Sequence, residues 1–251
     1  MKENLLGLVS ISFRDHSPEE IVMAAKEAGL SCIEWGSDVH APCREKERLL
    51  RLAALQKEIG IVASSYGTYF RLGETPLSEL PFYIEAAKIL GTDILRLWCG
   101  SKSGADMKEE EKEALFAACR EAAQVAEREG VVLCTECHRA TFTERVEDTL
   151  SLMKAVNSPA FKTYFQPFQF QSEEYNVFMA EALAPYVKCV HVFNWQGSER
   201  YPLKEGSAAW RRYLSAIGSP LPLLLEFMPD DRLETLSQEA QALREIIGET
   251  V

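Results

Sequence analysis

Short apolar runs alternate with longer amphipathic segments about eight times along this chain. The runs with strand character cover 5–12, 32–35, 61–66, 94–98, 131–136, 161–166, 187–193 and 221–227. The segments between them carry helix start and stop signals. Ser17-Pro18-Glu19-Glu20 offers an N-cap serine with proline at the first helical position, and Ala28-Gly29 closes that helix. The stretch 108–129 is rich in Ala, Glu and Lys and ends at Gly130. Glu58-Ile59-Gly60 and Leu90-Gly91 repeat the same junction from helix through glycine to strand.

Regular strand–helix alternation argues for a parallel sheet with right-handed crossovers. About eight units in 251 residues favour closure into a barrel over an open doubly wound sheet. No glycine-rich phosphate fingerprint follows the first strand, which weakens a dinucleotide-binding reading. The expected fold is α/β, a (β/α)8 TIM barrel forming one domain over 1–251, without linker or low-complexity tract. The longer connections 99–107 and 194–205 are expected to shape its mouth.

Composition narrows the function classes. With 27 basic and 38 acidic residues the formal charge is −11. Such a surface disfavours nucleic acid and anionic membranes as partners, while leaving room for a local basic pocket. Seven cysteines, an odd number with no CxxC pair, sit mostly in apolar stretches and read as reduced, buried thiols of a cytoplasmic protein. The start of the chain has one lysine, a short apolar segment and no small-residue cleavage pattern, so it reads as the first strand. No stretch approaches the roughly 18 apolar residues of a membrane span.

The chemistry concentrates where apolar runs end. Glu136 ends VVLCTE, Gln166 ends FKTYFQ, His191 ends YVKCVH and Glu226 ends LPLLLE. In a closed parallel barrel these four oxygen and nitrogen donors converge on the face where such enzymes place metal and substrate. A lone carboxylate at a strand end often means a salt bridge to an arginine, and a lone histidine a satisfied core residue. Two carboxylates with His191 between them favour a shared cation. Cys134, by alternation, turns to the same side as Glu136, as a small core residue.

The segments Gly29-Leu30-Ser31-Cys32-Ile33-Glu34-Trp35, Arg96-Leu97-Trp98-Cys99-Gly100, Glu136-Cys137-His138, Gln166-Pro167-Phe168-Gln169, His191-Val192-Phe193-Asn194 and Leu225-Glu226-Phe227 resemble the xylose isomerase-like barrels. That family includes sugar and sugar-phosphate isomerases, ketose 3-epimerases and hydroxypyruvate isomerase, with endonuclease IV more distant. The resemblance implies a divalent metal, manganese foremost and cobalt, zinc or magnesium as alternatives, held at Glu136, Gln166, His191 and Glu226. It implies proton transfer beside a carbonyl through an enediolate, with Glu136 and Glu226 as acid and base.

Gln166 stands where the family has aspartate. An uncharged amide oxygen implies a cation held more weakly than in relatives, or lost. Arg96, His138, Gln169, Trp35, Trp98 and His40 are expected to line a site for a small sugar or keto-sugar. For Arg96 a purely structural ion pair competes with that role, and for His138 a surface loop position does. Arg14 and His16 read as ordinary loop residues. A ligand-binding barrel without turnover and a lyase or dehydratase sharing the enolisation step are the alternatives. A nuclease of the endonuclease IV kind is disfavoured by the charge of −11 and by only four histidines. A homo-oligomer is left open.

Overall fold

A computed structural model describes residues 5–218 and 220–248. The domain expected over 1–251 therefore extends at both ends beyond the described residues. Eight strands form a closed parallel barrel: β1 (Leu6–Val9), β2 (Cys32–Gly36), β3 (Val62–Leu72), β4 (Ile94–Cys99), β5 (Val132–Thr135), β6 (Phe161–Phe165), β7 (Val187–Val192) and β10 (Leu223–Leu225). Closure is made by β1, which pairs with β10 through Leu6↔Leu223 and Leu8↔Leu225 and with β2 on its other side. A two-stranded antiparallel ribbon, β8 (Trp195–Gln196) and β9 (Glu199–Arg200), rises from the connection after β7.

The helices α1 (Pro18–Glu27), α2 (Lys46–Ile59), α3 (Leu80–Leu90), α4 (Glu109–Glu129), α5 (Val146–Val156), α6 (Glu173–Leu183), α7 (Ser207–Ile217) and α8 (Leu236–Ile247) alternate with the barrel strands. Their ends follow the sequence signals. Ser17 caps α1 by accepting from the Glu20 N–H at 3.3 Å, and the Glu20 carboxylate accepts from the Ser17 N–H at 2.7 Å. Gly60 and Gly91, at φ of 80° and 87°, supply the left-handed turn that ends α2 and α3. None of the described helices is long and apolar enough to cross a membrane.

Alternation along each strand sorts residues between two cores. Ile33, Leu95, Leu97, Leu133, Phe165, Val190, Leu223 and Leu225 join the large core beneath the helices. Val9, Cys32, Ile94, Cys134, Tyr164, Cys189 and Leu224 form a separate cluster inside the barrel. Gly7 makes this inner cluster possible, because a Cβ there would meet Cys32 Sγ at 2.5 Å and Leu224 Cδ2 at 2.8 Å. Three cysteines thus serve as small barrel filling, and all seven are free thiols.

Several expected boundaries shift for local reasons. The first strand, expected over 5–12, ends at Val9 and turns into a 3-10 segment, Ser10–Phe13. There the Ser10 hydroxyl accepts from the Gly36 N–H at 2.9 Å, tying the turn to the end of β2. The third, expected to end at 66, continues to Leu72 with a register shift against β4 between Gly67 and Arg71. The last strand is only Leu223–Leu225, since Pro222 has no N–H to donate and serves the ladder only by accepting from Val190 at 3.0 Å.

Candidate active site

Two residues above the inner apolar cluster, the same strand faces turn polar. From β2 comes Glu34, from β4 Arg96, and from β7 His191, while Glu136, Gln166 and Glu226 each follow directly on β5, β6 and β10. All six are buried. One ligand-type atom from each of Glu136, His191 and Glu226 lies within 4.8 Å of the others, the only such group found among the described residues. The expected convergence of strand ends therefore exists as geometry.

Hydrogen bonds fix each side chain. Arg96 donates from Nη1 to Glu136 Oε2 at 2.7 Å and from Nε to Glu34 Oε1 at 3.1 Å. Trp98 Nε1 also donates to Glu136 Oε2, at 2.7 Å. His191 Nδ1 lies 3.0 Å from Gln166 Oε1 and 3.4 Å from Glu226 Oε2, while its Nε2 lies 3.4 Å from Glu34 Oε2. Gln166 donates in turn to the Cys137 carbonyl at 3.0 Å, which orients its amide oxygen towards His191.

The charges interlock. Burial opposes the Arg96 charge, yet Glu136 and Glu34 flank the guanidinium and raise its pKa above the ordinary value. Burial likewise opposes ionisation of Glu34, but His191 and Arg96, with a Tyr164 hydrogen bond, hold its carboxyl down to about 2. Glu136 is also lowered, burial being outweighed by Arg96 and then His191. Burial disfavours protonated His191, and Glu226 and Glu34 overcome it and lift its pKa to about 10.

These residues suit a divalent cation. Three carboxylates against one guanidinium carry a formal surplus of two negative charges when His191 is neutral. The Gln166 amide oxygen and Glu226 Oε2 lie 3.0 and 3.4 Å from His191 Nδ1, so nitrogen and oxygen donors meet at one edge of the ring.

Above the cluster opens a cavity of about 550 Å³, lined by Arg96, Trp98, Glu136, His138, Gln166, Gln169 and Glu226 among the expected residues. His138 packs against the Trp98 ring at 5.0 Å, so it belongs to the cavity wall as well as to the loop. Gln169 is carried by a connection that Asn176 clamps, accepting from the Phe168 N–H at 2.8 Å and donating to its carbonyl at 3.2 Å. The connection after β7 contributes Trp195 from the ribbon, whose ring lies 5.6 Å from Phe227. Phe227 directly follows Glu226 and adopts φ 53°, a conformation that bulky residues rarely take and that the Ser12 hydroxyl supports by accepting from its N–H at 2.9 Å.

Three expectations need correction. Trp35 faces the helices, fully buried, with its indole N–H donated to Gln56 of α2, so it lies outside the cavity. His40 is also fully buried, lies 3.1 Å from the Ser10 hydroxyl and 3.2 Å from the His16 carbonyl, and serves to fasten loops. Arg14, read as an ordinary loop residue, lines the mouth beside Tyr69 and pairs with Asp38 at 3.0 Å. Glu34 was passed over in favour of its neighbour Trp35. The signal was present, since Cys32 and Glu34 share parity and an acid inside an apolar strand requires a partner.

The barrel and its carboxylate–histidine cluster define a class of protein, and sequence comparison identifies the family. Residues 22–246 match the family described as xylose isomerase-like TIM barrel, and the chain belongs to it. No curated protein matches the chain in sequence. Among solved structures, the probable 3-DHS dehydratase AsbF of Bacillus anthracis is 21% identical with a TM-score of 0.78, covering 97% of this chain and 98% of that one. A xylose isomerase-like TIM barrel protein from Mycobacterium smegmatis, in complex with magnesium, is 13% identical with a TM-score of 0.76, covering 98% of each chain. D-Psicose 3-epimerase from Clostridium cellulolyticum H10, solved with D-tagatose, is 13% identical with a TM-score of 0.71, covering 97% of this chain and 98% of that one. At these identities the likeness establishes the fold.

Proposed function

We propose that the chain is an isomerase or epimerase of a small sugar or keto-sugar, with Glu136 and Glu226 as the acid and base beside a carbonyl. The observation that carries this reading is the pair of buried carboxylates on the wall of one cavity, within 4.8 Å of each other and of His191. Glu136, Gln166, His191 and Glu226 would hold a divalent cation, manganese foremost, with cobalt, zinc or magnesium as alternatives. Bound there, the cation supplies positive charge to the oxygens of an enediolate.

The chain's own residues divide the remaining work. One carboxylate takes the proton from the carbon beside the carbonyl, and the other returns it. Return to the opposite face is epimerisation, and return to the neighbouring carbon is isomerisation. Arg96 and Trp98 both donate to Oε2 of Glu136, which fixes the carboxylate and leaves Oε1 for proton transfer. Trp98, Phe193, Trp195 and Phe227 give the cavity an aromatic wall suited to the C–H faces of a sugar.

A second reading, dehydration, uses the same proton abstraction followed by loss of a β-hydroxyl. It is the activity named for one neighbour that shares the fold, the probable 3-DHS dehydratase AsbF. Incubating the manganese-loaded protein with a panel of ketoses in D2O separates the readings. Deuterium appearing beside the carbonyl supports proton transfer, and a new conjugated-carbonyl absorbance identifies dehydration. No exchange with any ketose, or exchange undiminished in Glu226→Gln, would remove the acid–base assignment.

A further inference from the structure

Glu34 sits behind the candidate site with 0% exposure and does not line the cavity, so it has no direct access to a substrate. Every one of its neighbours within hydrogen-bond distance is a donor. Oε2 accepts from the Ser65 hydroxyl at 2.8 Å and the Tyr164 hydroxyl at 2.8 Å, and lies 3.4 Å from His191 Nε2. Oε1 accepts from Arg96 Nε at 3.1 Å. The third strand has given up a side chain to admit this pair, because a Cβ on Gly67 would meet Glu34 Oε1 at 2.7 Å and Arg96 Nη2 at 2.9 Å.

Each of the two groups Glu34 holds presents its other side to the site. His191, held by Nε2, turns Nδ1 towards Gln166 and Glu226. Arg96, held by Nε, turns Nη1 onto Glu136. A carboxylate gripping the rear nitrogen of an imidazole fixes the ring and strengthens the front nitrogen as a donor to a cation. We propose that Glu34 is the positioning residue of the cation site, acting through His191 on one side and through Arg96 on Glu136 on the other. This rests on the reading of Glu136, Gln166, His191 and Glu226 as a cation-binding set.

Glutamine is the informative replacement. It keeps the shape but has one acceptor oxygen, so its amide N–H groups must face either Arg96 or the Ser65, Tyr164 and His191 donors. Either choice releases one of the two groups. Tyr164→Phe is a milder variant that keeps the carboxylate and removes one of the bonds that anchor it.

The test is manganese affinity by calorimetry at pH 7.5 on the full chain, with folding followed by circular dichroism. A resonance from the His191 Nε2 proton, protected from solvent exchange in nitrogen-15 labelled protein, is the second readout. Glu34→Gln is expected to weaken manganese by about tenfold or more, with that protection lost where the amide N–H groups face His191 and kept where they face Arg96, and Tyr164→Phe to produce a smaller loss of affinity. If Glu34→Gln does not fold, Tyr164→Phe decides by the same two readouts. A folded variant with manganese affinity within about twofold of the wild type and an unchanged His191 signal would show Glu34 to be a structural partner of Arg96 alone and overturn the proposal. If the wild-type chain binds none of manganese, cobalt, zinc or magnesium, the cation reading fails first, and the proposed role of Glu34 fails with it. Cation binding by the wild type that is indifferent to Glu34 overturns the role while leaving the site intact.

Discussion

Two layers inside the barrel are built from the same strands two residues apart, yet they obey opposite rules. The lower layer, with Cys32, Ile94, Cys134, Cys189 and Leu224, is apolar and needs no partners. The upper layer, with Glu34, Arg96, Glu136, His191 and Glu226, is buried and charged, and its members are held largely by one another. The lower layer is therefore tolerant, because its energy is area and volume. The upper layer is brittle, because removing any one charge leaves another in a dry environment without compensation.

The largest expected effect tests whether the upper layer does chemistry at all. Glu226→Gln should lower solvent deuterium exchange into an accepted ketose by roughly 10²–10⁴-fold. The variant should still fold, with a lowered melting temperature because His191 loses one of its two carboxylate partners, and calorimetry alongside the exchange assay checks both. Next comes the layer's internal wiring. Arg96→Met leaves Glu34 and Glu136 without their shared cation and should cost about 3–5 kcal/mol in urea unfolding, far more than a volume change alone.

The pH dependence of stability sharpens the same contrast. Glu34 is held at about 2 against an ordinary 4.5, so its contribution is complete above about 4.5 and disappears as the pH falls through about 2. His191 is raised to about 10 from 6.5, so its contribution is complete below about 6.5 and disappears as the pH rises through about 10. Chelator-treated protein should thus be most stable between these limits, with a decline on both sides, as urea titrations across pH would show. A cation that takes Nδ1 must displace this proton, so manganese affinity should climb with pH and level off near 10.

Smaller effects follow. Gln166→Asp adds a charge to the donor set and should strengthen manganese binding by about tenfold, while an unchanged affinity by calorimetry would remove Gln166 from the set. In the lower layer, Cys134→Ala should cost only about 1 kcal/mol in urea unfolding and leave deuterium exchange unchanged.

Much of this was legible in the chain. Strand–helix alternation gave the barrel, and polar residues ending apolar runs gave Glu136, Gln166, His191 and Glu226 a common place. The misreadings have two causes. Trp35 and Glu34 are adjacent, and choosing between them needs the phase of the alternation, which the apolar faces of a doubly buried strand conceal. His40 looked like a mouth residue because it follows a strand, but loop paths are set by contacts distant in sequence, here Ser10 and the His16 carbonyl. Arg14 gained its place at the mouth through Asp38 and Tyr69, neither near it in the chain.

What the sequence determined by itself is the set of elements and the residue types at their ends, because periodicity, caps and strand-terminating acids are local. Which of those ends touch, and in what order, was decided only when β1 met β10 and closed the barrel. Closure brings Glu34 beside His191 across 157 positions and beside Tyr164 across 130. The charge balance of the site exists only in that arrangement, since buried charges set one another's protonation through distance in space.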